Sequence, residues 1–142
     1  MAAGTKFEAL SEHLAEGVHQ FQAAGHTLKW YLSVDAPSAS LDAVKADHTE
    51  IGAGNGYSSG GNDTQNDTSR TGGTTTVTVV DAVITASGGT IGPFRYVVAY
   101  NDTPTSPADP LIAYWDYGSN VTLQIGETFT IDATGNALLT VA

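Results

Sequence analysis

The chain has 142 residues, no cysteine, and a net charge of −10 from 5 Lys/Arg against 15 Asp/Glu. The length argues for one domain over 1–142, able to bury roughly 70% of its unfolded surface without disulfides. The five cations (Lys6, Lys29, Lys45, Arg70, Arg95) are scattered, which argues against nucleic acid as a partner, and missing thiols exclude disulfides and thiolate metal sites.

No apolar run approaches the ~20 residues of a membrane span, so no membrane partner is expected. The start, MAAGTKFEAL, lacks the basic-then-apolar plan of a signal peptide. The acidity reads first as solubility and self-repulsion, and second as complementarity to a basic surface. Charged residues are 14% of the chain, below the usual ~25%, and Thr, Gly and Asn supply the polarity instead. That composition suits an all-β protein with many turns and threonine-bearing strands.

Phe7, Leu10, Leu14, Val18 and Phe21 recur at helical spacing and predict an amphipathic helix over 5–22. Thr5 and Glu8 read as a capping box, and Gly25 as the stop. Gly17 lies inside the pattern at a cost of about 1 kcal/mol. Such a stripe must dock, either on the end of a β core or on a neighbouring subunit.

Thr27–Asp35 alternates as a strand that Pro37 ends. Residues 41–51 fit either a short helical turn or the start of a strand. From Gly52 to Thr76 the apolar content almost vanishes, with Tyr57 the one aromatic. This predicts an extended loop or arm that orders against a neighbour. Strand pattern returns over Thr76–Ala86, with a slip near Asp81 that suggests a bulge.

The densest stretch is Ile91–Tyr117. Phe94, Tyr96, Val98 and Tyr100 alternate with Arg95, Val97 and Ala99. Leu111, Ala113, Trp115 and Tyr117 alternate with Ile112, Tyr114 and Asp116. Pro104, Pro107 and Pro110 interrupt them, so the stretch reads as a hairpin with a long exposed loop. Strands follow around Val121–Ile125, Thr128–Ile131 and Ala137–Val141, with a turn at Thr134-Gly135-Asn136. The sum is a mainly β fold, a jelly roll or β-sandwich of seven or eight short strands with one helix.

Chemistry is sparse. Gly52-Ala53-Gly54-Asn55-Gly56 has neither the helix nor the Lys-Ser/Thr pair of a phosphate loop, so it reads as turn. Asn62–Asp67 offers oxygens but lacks the order of a calcium loop. His13 and His19 fall on different faces of the predicted helix, which argues against a metal site; His26 and His48 stand apart. Asp116 lacks the partner carboxylate that glycoside chemistry requires. Trp115, Tyr114 and Tyr117 read as core, with a sugar-stacking platform as the sharper alternative. Four Asn-x-Thr sequons, at Asn62, Asn66, Asn101 and Asn120, fit chance in an Asn/Thr-rich chain. No nucleophile–base–orienter set can be assembled, and neither enzyme activity nor a cofactor is expected.

The segments KFEALSEHLAEGVHQF, Ile51–Tyr57, ASGGTIGPFRYVVAYNDTPTSPADPLIAYWDYGS and GETFTIDATG resemble a family of small virion structural proteins of tailed bacteriophages. The likeness spans nearly the whole chain, and GPFRYVVAYND…PLIAYWDYG is its most specific part. It implies a head decoration (cement) protein, made in the host cytoplasm and carried on the virion. The implied partners are the major capsid protein and copies of itself, as dimers or trimers. Phe7, Leu10, Leu14, Val18 and Phe21 of the helix stripe, with Tyr57 and Arg70 of the arm, are the candidate contact residues. A tail or fibre-associated role and a carbohydrate-binding module are the alternatives.

Overall fold

A computed structural model describes residues 4–133 and 137–142. The strands are β1 (Thr5–Lys6), β2 (Leu28–Ser33), β3 (Asn62–Asp63), β4 (Asp67–Thr71), β5 (Thr74–Thr78), β6 (Ala82–Thr85), β7 (Ile91–Asn101), β8 (Leu111–Leu123), β9 (Thr128–Ile131) and β10 (Ala137–Val141). One α-helix, α1 (Ala9–Ala15), and a 3₁₀ turn at Lys45–Asp47 complete the elements. The expected turn at 134–136 lies outside the described residues.

The strands form three antiparallel sheets, ordered β1-β8-β7-β2-β3, β10-β5-β4 and β6-β9. The β7–β8 hairpin is the spine of the largest, with Val97 opposite Trp115 and Ala99 opposite Ala113. One face of this sheet carries Leu28, Trp30, Leu32, Val97 and Ala99. It packs against Val77 and Val79, Ile84, Ile131, Leu138 and Leu139 from the two smaller sheets. The chain is thus mainly β, in a two-layer β-sandwich arrangement.

The other face is also covered. Phe7, Tyr31, Val98, Tyr100 and Leu111 cluster there, with Tyr96 and Tyr114 alongside. Residues 45–60 close over it: Lys45 Nζ sits 5.1 Å from the Tyr31 ring centroid, and Tyr31 Oη is 2.9 Å from His48 Nδ1.

Simple alternation fails at several places, the first between Ile91 and Phe94, which both face the core. The β7–β8 register shifts between Phe94 and Tyr96, which sends Phe94 to the sandwich core while Tyr96, Val98 and Tyr100 face the other way. A further shift near Tyr100 separates Leu111 from Ala113. The expected bulge near Asp81 is where the chain passes from β5 to β6, in a different sheet.

The helix predicted over 5–22 is only Ala9–Ala15. Gly17 ends it with φ +73°; the Val18 N–H bonds the His13 carbonyl at 2.9 Å and the Gly17 N–H bonds Leu14 at 3.2 Å. That is a Schellman stop, with Gly17 at the left-handed position. The capping box is also absent. Thr5 pairs with Tyr114 as part of β1, and Glu8 precedes the helix without a side-chain cap.

The arm predicted over 52–76 contains β3, β4 and the start of β5. Buried Asn66 secures it: its Oδ1 accepts the Leu28 N–H, and its Nδ2 donates to the carbonyls of Phe21 and His26. Apart from buried Tyr57, hydrogen bonds do most of the ordering of this polar segment.

Candidate binding groove

Past Ala113, β8 runs out from the covered centre of the sheet, and residues 116–120 are exposed. Trp115 is half-buried. Trp30 meets it edge-on at 6.5 Å, and the Gly4 backbone lies against its indole, where an added Cβ would come within 2.6 Å of the ring. Tyr117 is 60% exposed, the most exposed aromatic among the described residues. Its ring lies 5.6 Å from Phe129 of β9, which is braced in turn by Phe94 at 4.9 Å.

Between Val97, Trp115 and Tyr117 on one side and 129–132 on the other lies a groove of about 290 Å³. Asp116 stands at its rim. Arg95 donates to both carboxylate oxygens, Nε at 2.7 Å and Nη2 at 3.0 Å, and the Gly118 N–H donates at 2.8 Å. Arg95 first, and the Gly118 N–H second, hold the carboxyl below its usual pKa. Asp116 is therefore a fixed anionic acceptor, the opposite of a carboxyl tuned to give up a proton near neutrality. Asp132 lines the same groove.

The sequence grouped Tyr114 with Trp115 and Tyr117. Tyr114 instead packs with Phe7 at 5.4 Å on the other sheet face. Phe129 is the partner that sequence reasoning missed; its signal was the alternation over Thr128–Ile131.

The predicted contact residues are not together on an outer surface. Phe7, Leu10, Phe21 and Tyr57 are buried in the chain's own packing. Leu14 and Val18 are half-buried, and Leu14 lines a second cleft, about 500 Å³, with Leu139 and Val141. Only Arg70 is exposed, on β4, with its Nη1 turned onto the Gly72 carbonyl at 2.7 Å. The helix is too short to present the stripe outward, so its apolar residues serve the core.

The histidines hold a cluster that the long-helix reading hid. Because the chain leaves the helix at Gly17, the His13 and His19 rings come to 6.0 Å. Buried Asn101 donates through Nδ2 to Nδ1 of His19 (3.0 Å) and His26 (2.9 Å). Burial, then His13 and His26, push the His19 pKa down to about 4. Among the described residues, no group of three or more His, Asp or Glu is placed to hold a metal ion. In the Asn62–Asp67 stretch, Asp63 and Asp67 accept backbone N–H groups. No helix among them is long and apolar enough to cross a membrane.

No protein-family model, curated protein or solved structure matches this chain.

Proposed function

We propose that this chain is a non-enzymatic structural protein of a tailed-phage particle. Its place is the outer surface of the head, where copies bridge neighbouring capsid subunits. The resemblance of GPFRYVVAYND…PLIAYWDYG supports the virion reading. The observation that carries the contact is β4: it ends its sheet, and all five of its residues are exposed. An exposed edge strand presents backbone donors and acceptors to another chain. β4 and the hairpin turn at Gly72-Gly73, both within the 52–76 arm, carry the docking role expected of that arm, while the helix stripe packs within the chain. A ligand that binds only the assembled lattice stabilises it by mass action. Closed clusters of two or three copies fit such bridging.

Quantifying this chain against the shell subunit in purified particles tests the reading. A copy number comparable to that of the shell subunit is expected. A handful of copies per particle would overturn the head role in favour of a tail or fibre component.

A further inference from the structure

We infer that the groove between β8 and β9 is a saccharide site. One pyranose ring would lie against Tyr117 and Phe129, with its hydroxyls meeting the Asp116 carboxylate that Arg95 holds at the rim. The inference is independent of the virion reading.

The first support is the exposure of Tyr117. Tyr31, Tyr57 and Tyr100 are buried, and Tyr96 and Tyr114 are half-buried. Tyr117 alone among the tyrosines offers most of its ring to solvent, and it does so at the mouth of a groove. A pyranose has one face made largely of C–H groups, which an aromatic ring covers well.

The second support is rigidity. Phe94 fixes Phe129, and Trp30 and the Gly4 backbone fix Trp115. Rings already held in place lose little freedom when a ligand arrives, which favours a small neutral one. The volume, about 290 Å³, lies at the lower end of small-molecule pockets, roughly 300–1,000 Å³, and suits one or two sugar rings.

The third support is the polar chemistry. Asp116 is ionised and aimed by three donated hydrogen bonds, and the pair uses two of the five guanidinium N–H groups. A carboxylate held in one orientation at the rim accepts from vicinal hydroxyls. Arg95 also neutralises Asp116. That weakens the pull of the groove on an alkylammonium ligand, and exposed charges act weakly in salt.

The full chain on an array of neutral oligosaccharides (glucans, galactans and N-acetylglucosamine oligomers) tests the inference, with tetramethylammonium as the competing probe. Binding to at least one neutral glycan is expected, nearly unchanged between low and high salt. Tyr117→Ala should weaken it about tenfold or more without lowering the melting temperature. Leu41→Ala, at an exposed loop position outside the groove lining, should leave it unchanged. The inference is overturned by no glycan binding, by binding that Tyr117→Ala leaves intact, or by salt-sensitive binding of tetramethylammonium in place of the sugar. Trp115→Ala is a poorer probe because the indole also packs on the core.

Discussion

The Tyr57 hydroxyl donates to Glu50 Oε1 at 2.7 Å while accepting the Leu32 N–H at 3.0 Å. Lys45 Nζ closes on the other Glu50 oxygen at 2.8 Å, and the Gly60 N–H meets Oε1 at 2.7 Å. A residue from an otherwise polar stretch thus pins 45–60 to β2 through one carboxylate. Burial, more than any neighbour, raises the Tyr57 pKa well above its usual value, so the hydroxyl remains a donor at any ordinary pH.

Tyr57→Phe should therefore destabilise by about 1–3 kcal/mol, because the Leu32 N–H and Glu50 lose a buried partner. Lys45→Met should cost more, about 3–5 kcal/mol, since it strands a largely buried carboxylate. Urea midpoints with unchanged slopes would check both. If Tyr57→Phe left the midpoint unmoved, the clamp would carry no weight.

Two glycines should respond very differently to alanine. Gly61 has φ +77°, and a Cβ there would run into the Trp30 carbonyl. Gly61→Ala should cost about 3 kcal/mol or more, from backbone collision added to left-handed strain. Gly72, at φ +59° in the β4–β5 turn, has open space around it. Gly72→Ala should cost only the strain, about 1–2 kcal/mol. Thermal unfolding of the pair separates collision from strain.

His19 makes stability depend on pH. Its ring titrates near 6.5 when unfolded and near 4 when folded, so between those values the folded chain binds fewer protons. The contribution of the neutral ring is complete above 6.5 and is lost as pH falls toward 4. The loss at the acid end is about 2 kcal/mol, less than the whole shift because the ring is partly exposed. His19→Leu should flatten the decline of the urea midpoint over that window relative to the parent chain. An unchanged decline would assign the acid sensitivity to other groups.

The helix stripe should behave as core. Phe7→Ala and Leu10→Ala should each destabilise the isolated chain, by about 3–5 and 2–5 kcal/mol. Chemical unfolding of the chain away from any partner measures this. A loss of assembly with no loss of stability would restore the stripe to an interface.

Period-two alternation over Leu28–Val34, Val97–Tyr100 and Thr128–Ile131 made the strands legible, because each buries at least one face. Alternation was silent where a register shift turned Phe94 to the sandwich core. The helix was overextended because Val18 and Phe21 continue the apolar spacing, though Phe21 reaches the core from irregular chain and Val18 is only half-buried. Gly17, read as a tolerated interior residue, was the C-terminal signal. The 52–76 segment was misjudged for a different reason. Counting apolar residues ignores what a buried Asn66 does with three hydrogen bonds. The groove was half legible: Trp115 and Tyr117 stood out, but their pairing with Phe129 depends on β9 crossing from another sheet.

The most direct measurement is a map of the intact particle at a resolution that traces the chain. The account predicts this sandwich on the outer face of the head, with the β4 edge and the Gly72-Gly73 turn against a neighbouring subunit. A particle in which the chain is missing from the head, or in which β4 faces open solvent in every copy, would contradict it.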